Sequence, residues 1–225
     1  MKLDNRGLLI VLSGPSGVGK GTVRNALFQR EDHNLVYSVS MTTRKPREGE
    51  VDGREYYFVS KEEFEKRIEE GKFLEYTNFV GNYYGTPADK VEELLDAGKE
   101  VVLEIEVEGA KQVRSKNKDA VFIFIVPPTM KDLLNRLMSR GTESSEMIKE
   151  RYEKACREIG LAYLYNYIVV NDTVENAADK IMAIIRAEHA RTMRSMDGYK
   201  KLVKEANRNE YTKWWITFPR NRSIG

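Results

Sequence analysis

The chain has 225 residues, with 37 Lys and Arg against 35 Asp and Glu and a formal net charge of +2, so no overall field recruits nucleic acid or an anionic membrane and any basic site is local. Its one cysteine, Cys156, excludes an internal disulfide, and its two histidines, His33 and His189, stand too far apart in sequence for a structural zinc site. The length suits one core with insertions, without internal repeats, and with neither a leader nor a long apolar span at the N-terminus the expected compartment is the cytoplasm.

Leu8 to Leu12 is an uninterrupted apolar run, the pattern of a parallel strand covered on both faces, and Lys20 to Gln29 reads as a helix. Between them lies Gly14-Pro15-Ser16-Gly17-Val18-Gly19-Lys20-Gly21-Thr22, the layout of a P-loop. Gly14 and Gly19 let the backbone turn tightly and aim successive N–H groups at one anion, and a nucleotide polyphosphate fits such a site. Lys20 would set its ammonium on the β and γ phosphates. Gly21 stands where a Ser or Thr hydroxyl commonly meets magnesium, with Thr22 one place later, which leaves direct ligation of that metal by the protein open.

Leu35 to Ser40 alternates toward a strand, and Arg44 to Arg54 reads as an exposed loop carrying Arg44, Lys45, Arg47 and Arg54. Tyr56 to Val59 is a strand candidate, and Ser60-Lys61-Glu62-Glu63 is a capping box for a helix that ends at Gly71. Phe73 to Tyr76 resumes an extended run, and Thr86-Pro87-Ala88-Asp89 sets a cap, a first-turn proline and an acid before a helix that stops at Gly98.

Val101 to Val107 is another buried-strand pattern, with Glu104 and Glu106 near the carboxyl end, where open α/β sheets hold their ligands. Ala120 to Val126 is a further strand, closed by Pro127-Pro128. Thr129 to Asp132 caps a helix whose Leu133, Leu134 and Leu137 point to core, and Tyr167 to Val170 is the last strand. The alternation predicts an α/β fold: a parallel sheet flanked by helices, with an inserted small mixed lobe from about 38 to 96 outside that rhythm.

Ser40-Met41-Thr42-Thr43-Arg44-Lys45-Pro46-Arg47-Glu48-Gly49-Glu50, Tyr56, Glu75 and Gly81-Asn82-Tyr83-Tyr84-Gly85-Thr86 closely resemble guanylate kinase, as does Gly14-Pro15-Ser16-Gly17. Leu103 to Gly109, Arg136-Leu137-Met138-Ser139-Arg140-Gly141-Thr142-Glu143 and Ile168 to Asp172 extend the resemblance over about residues 6 to 205. It implies a P-loop NTPase core at 1–37 and 97–206, a short helical lid within it at about 130–156, and a GMP-binding lobe at 38–96. The implied reaction moves the γ-phosphoryl group of ATP to GMP, giving ADP and GDP, with Mg2+ held mainly by the ATP phosphates and water.

Residue by residue, the resemblance implies that Glu75 reads the base. One carboxylate can accept from guanine N1–H and N2–H2 together, whereas adenine offers an acceptor at N1. Ser40 and Thr86 would serve the O6 side. Arg44 and Arg47 would converge on the GMP phosphate with Tyr56 and Tyr84 around it. Glu104 and Glu106, as alternate residues of one strand, are expected to look into the GMP and metal region, where the family often has aspartates. Arg136 and Arg140 share a helix face, Arg151 follows on the next helix, and the three would bring positive charge to the migrating group. Surface ion pairs with acids such as Glu143 or Glu150 are the plainer reading of each arginine. Asn171 would hydrogen-bond adenine, or serve as a helix cap beside Asp172. Two other readings stay open: a non-catalytic guanylate-kinase-like module that binds phosphopeptides, and a kinase for another nucleoside monophosphate. Residues 207–225, including Tyr211-Thr212-Lys213-Trp214-Trp215-Ile216-Thr217-Phe218, go unassigned, their aromatics suiting a partner, a sister subunit or a frayed terminus.

Overall fold

The computed structural model describes residues 6–31, 34–139 and 144–207. Arg140, the turn after it, His33 and the aromatic tail lie outside the described residues. β1 (Leu9–Ser13) is buried along its length and leads through the glycine-rich turn into α1 (Lys20–Phe28) and β2 (Leu35–Tyr37). The chain then makes β3 (Met41–Thr42), β4 (Tyr57–Phe58), α2 (Lys61–Glu69), β5 (Phe73–Phe79) and β6 (Asn82–Pro87). It continues with α3 (Ala88–Asp96), β7 (Glu100–Glu104), α4 (Val107–Lys116), β8 (Val121–Val126) and α5 (Met130–Met138). The remainder is α6 (Ser145–Ile159), a 3-10 turn at Ala162–Leu164, β9 (Tyr167–Val170), α7 (Val174–His189) and α8 (Thr192–Asn207).

The first sheet has the order β2-β7-β1-β8-β9, and every pairing in it is parallel. Alternate residues of β1 feed two cores. Ile10 and Leu12 pack with Val23 and Leu27 of α1, Leu133 and Leu137 of α5 and Ile181 of α7, while Leu9 and Val11 pack with Val91 and Leu95 of α3 and Val113 of α4. Each such fully buried side chain contributes about 1.5–3 kcal/mol. This is the α/β architecture expected, with helices on both faces of a parallel sheet. Ligands of such sheets gather at the carboxyl ends of the strands. Those ends here carry the glycine-rich turn after β1, Glu104 closing β7 and Asn171 just beyond β9.

The second sheet, β4-β3-β6-β5, is mixed: β3 pairs parallel with β4 and antiparallel with β6, and β5 and β6 form an antiparallel hairpin. It has its own small core, in which the Phe64 ring of α2 stacks on Phe73 at 4.3 Å and on Tyr83 at 5.2 Å. Ser60 caps α2 by accepting from the Glu63 amide.

Three expectations need correcting. The strand read as Val101 to Val107 ends at Glu104, and Val107 already opens α4, with Glu106 at its N-cap, so Glu104 and Glu106 are not alternate residues of one strand. Thr86 does not cap α3: Pro87 holds that position, and the Thr86 hydroxyl donates instead to Glu75 Oε1 at 2.6 Å. The extended run from Phe73 reaches Phe79 and turns back through β6, a strand that polar residues, Gly85 and Pro87 conceal.

Residues 6–185 form one compact unit, and the chain from Arg186 belongs to a second. Within that second unit the buried Glu188 carboxylate pairs with Arg191 at 3.2 Å and Arg194 at 3.1 Å. No helix among the described residues is long and apolar enough to cross a membrane.

Candidate active site

The glycine-rich turn is shaped by backbone that only glycine adopts easily. Gly19, at the N-cap of α1, has φ of 94°, and a Cβ there would stand 2.8 Å from the Asn171 side-chain amide. Asn171, 3% exposed, donates from that amide to the Val18 carbonyl at 2.8 Å, so it pins the turn from the end of β9. It is not a helix cap; α7 takes its cap from the Thr173 hydroxyl, which accepts from the Asn176 amide. Lys20 Nζ donates to the carbonyls of Gly14 at 2.6 Å and Pro15 at 3.2 Å. Burial lowers its pKa, and the carboxylates of Glu104, Glu158 and Glu106 act against that shift.

Two arginines reach the same turn. Arg136 on α5 donates to the Val18 carbonyl at 3.0 Å and the Asn171 carbonyl at 2.9 Å. Arg151 on α6 donates to the Ser16 hydroxyl from Nη2 at 2.9 Å and from Nε at 3.2 Å, which sets a guanidinium directly over the turn. Lys154, one helical turn further along α6, pairs with Glu106 at 2.9 Å. Arg140 lies outside the described residues.

A second site opens between the two sheets. Ser40, Tyr56, Glu75, Tyr84, Glu104 and Glu106 line one cleft of about 270 Å³, together with Tyr37, Thr77, Gly85, Ile105, Glu108, Gly109 and Gln112. Glu75 is 7% exposed, and burial raises its pKa while the Thr86 hydroxyl pulls it back. A Cβ on Gly109 of α4 would sit 3.1 Å from Glu75 Oε2, so the helix passes close against the carboxylate. Gln112 fastens α4 to β5 by exchanging two hydrogen bonds with the Tyr76 backbone, at 3.1 and 3.0 Å.

Glu104 joins the two sites. Its carboxylate lies 3.8 Å from where a side chain at Gly21 would begin, on the cleft wall, and its enclosed Oε2 pairs with Arg24 Nη1 at 2.9 Å. Arg24 also lies over the Tyr37 ring at 4.8 Å. Sequence reasoning passed over Arg24, although its spacing of one helical turn from Lys20 on α1 is a usable signal.

At the mouth of the cleft, the Arg44 guanidinium lies 5.4 Å from the Tyr56 ring centre, and Tyr56 meets Tyr84 edge-on at 5.9 Å. Glu50 organises this loop: it accepts from the Arg44 guanidinium at 2.9 Å and from the Arg47 amide at 2.8 Å. These bonds raise the Arg44 pKa and lower that of Glu50. The Arg47 guanidinium makes no hydrogen bond or ion pair among the described residues, and its charge acts on Glu50. Glu50 closes the Ser40 to Glu50 segment that resembles guanylate kinase, and the resemblance implies no role for it. Replacing it with Ala is expected to raise KM for the phosphorylated acceptor about tenfold with little change in kcat, because both arginines lose one shared anchor; steady-state kinetics over a range of acceptor concentration would check it.

The guanylate kinase family model matches residues 6–188. Among curated proteins, the chain is 59% identical over 206 residues to a guanylate kinase of Aster yellows witches'-broom phytoplasma (strain AYWB), covering 91% of this chain and 98% of that protein. It is 55% identical over 201 residues to one from Listeria monocytogenes serotype 4b (strain F2365), covering 89% of this chain and 98% of that protein. Among solved structures, the crystal structure of guanylate kinase from Anaplasma phagocytophilum superposes with a TM-score of 0.65 at 37% identity, covering 86% of this chain and 92% of that one.

Proposed function

The chain belongs to the guanylate kinase family and acts as an ATP:GMP phosphotransferase, and we propose that it divides this work among a P-loop core (1–37 and 97–206), a GMP lobe (38–96) and an arginine-bearing lid (about 130–156). The observation that carries the division is Glu104, which faces both the start of α1 and the cleft holding Glu75. Donor phosphates on residues 14–22 and an acceptor on Glu75 would thus meet beside a single carboxylate.

Base reading falls to Glu75, oriented by the Thr86 hydroxyl, with Ser40 on the same wall. Arg44, Arg47, Tyr56 and Tyr84 hold the acceptor phosphate, which is already ionised, so no strong general base is required. Catalysis then rests on alignment and positive charge. Lys20 leaves the Gly14 and Pro15 carbonyls for the donor phosphates, and Arg151, already over Ser16, supplies charge from the lid together with Arg140. Two donors of Arg136 are committed to the Val18 and Asn171 carbonyls, which favours positioning of the turn over direct charge stabilisation. Asn171 shares that task at the adenine end of the site.

The family's reaction calls for a divalent cation, and we take it to be Mg2+. Among the described residues no three His, Cys, Asp or Glu side chains stand close enough to hold a metal. We take the ion to be carried mainly by ATP phosphates and water, and Glu104, on the wall between the turn and the cleft, is the acid that would approach it. When bound, it neutralises charge developing across the β and γ phosphates.

The test is ADP release from ATP and magnesium with GMP, dGMP, AMP, CMP or UMP as acceptor. Turnover confined to the guanine nucleotides is expected. Equal use of AMP would remove the role given to Glu75, and no turnover with any acceptor would remove phosphotransfer itself.

A further inference from the structure

A pocket of about 460 Å³, larger than the acceptor cleft, lies against the other side of α4. Val107, Ala110 and Arg114 line it at helical spacing, whereas Glu108, Gly109 and Gln112 face the cleft, so the two cavities share one helix as a wall. Its remaining walls come from Phe122 of β8 and from Leu164 and Tyr165 after α6. These surfaces are almost wholly apolar, with two exceptions. Arg114 Nη2 and the Tyr165 hydroxyl are both enclosed, and Arg114 Nη2 has no hydrogen-bond partner among the described residues.

The two groups are held in place by rings. The Arg114 guanidinium lies 3.9 Å from the Phe122 ring centre, and the Tyr165 ring packs against Phe124 at 4.8 Å. Tyr165 has a side-chain hydrogen bond with Ser13, whose own hydroxyl donates to the Ile105 carbonyl at 2.9 Å. Burial lowers the Arg114 pKa, with Tyr165 acting in the opposite direction, and no carboxylate contributes. Lys111 on the pocket rim is already paired with Glu108 at 2.7 Å.

We infer that this pocket is a second ligand site, and that it takes a small organic carboxylate with an apolar body. Arg114 Nη2 can only donate, and a buried donor left unpaired costs more than a satisfied one returns. Its complement is an anionic acceptor, which one oxygen of a carboxylate supplies while the Tyr165 hydroxyl on the same wall is available to the other. One guanidinium balances one negative charge, so a phosphate dianion would bring uncompensated charge against apolar walls. The volume of about 460 Å³ and the apolar lining suit the hydrocarbon body of a small ligand. None of the residues assigned to phosphotransfer lines it, so the site stands or falls apart from that assignment.

The experiment is calorimetric titration of the full chain with 2-naphthoate, repeated with GMP present, with naphthalene-2-carboxamide as the neutral probe, and with Arg114→Gln and Tyr165→Phe. The expected result is saturable binding at one site, unaffected by GMP and weakened at least about tenfold by either substitution and by the neutral probe. Tyr165→Phe removes a single oxygen and preserves the packing, so the test survives if Arg114→Gln folds poorly. Absence of saturable binding, displacement of 2-naphthoate by GMP, or undiminished affinity in Tyr165→Phe would each overturn the proposal.

Discussion

Lys20→Met is expected to lower kcat about a thousandfold or more while the thermal midpoint stays within a few degrees of the parent. The ammonium is the only cation on the turn itself, and the charge it meets grows as the γ-phosphoryl group leaves ADP. Its loss therefore falls on the transition state more than on ground-state binding, which predicts a kcat effect larger than the KM effect for ATP. The stability cost is small because two terms oppose each other. Methionine leaves the Gly14 and Pro15 carbonyls without the donor they have now. It also removes a buried charge, whose burial already lowers the Lys20 pKa. Coupled ADP-release kinetics and a melting curve on the same preparation separate the two. Turnover near the parent value in a folded variant would show that the turn works without its lysine.

Much of this site is legible in the sequence because its parts are local. The apolar run into Gly14 to Thr22 declares strand, turn and helix in order, and both faces of β1 are buried as an unbroken hydrophobic strand requires. The Arg44 to Arg54 segment declares a basic loop, and the structure groups Arg44 of that loop with Tyr56 and Tyr84. What stayed hidden depends on partners remote in sequence. The donors of Arg136 end on main-chain carbonyls of Val18 and Asn171, which no side-chain pattern records. Thr86 reads as a cap from its neighbours, yet hairpin pairing of β6 with β5 turns its hydroxyl toward Glu75. Glu106 continues an alternating apolar pattern that fits strand or helix equally over so short a run, and the change to α4 at Val107 is decided by packing of Val107, Ala110 and Val113. The pocket behind α4 is illegible for the same reason, since Arg114 and Tyr165 meet only once β8 and β9 are paired.

Glu75→Gln is expected to lower kcat/KM for GMP about a hundredfold, to narrow the preference for GMP over AMP, and to leave stability unharmed. An ionised carboxylate accepts from both guanine N1–H and N2–H2. The amide keeps one acceptor and turns a donor against another donor, so one pair in a desolvated cleft becomes a mismatch. The pH dependence follows from burial, which raises the Glu75 pKa above its usual 4.5, partly offset by the Thr86 hydroxyl and Lys116. As pH falls through that raised value the carboxyl gains a proton and loses an acceptor, so KM for GMP should climb at a higher pH than an ordinary glutamate would allow. The Gln variant should lack this acid limb. For folding the sign is reversed. A carboxyl whose folded pKa is raised contributes stability below its unfolded value, and this is lost as pH rises through the folded one. At neutral pH the charge is therefore a net cost to the fold, and Glu75→Gln should melt no lower than the parent. A variant that lost GMP selectivity together with several degrees of melting temperature would assign Glu75 to the framework of the lobe, whereas loss of selectivity with melting unchanged and the acid limb abolished assigns it to the base.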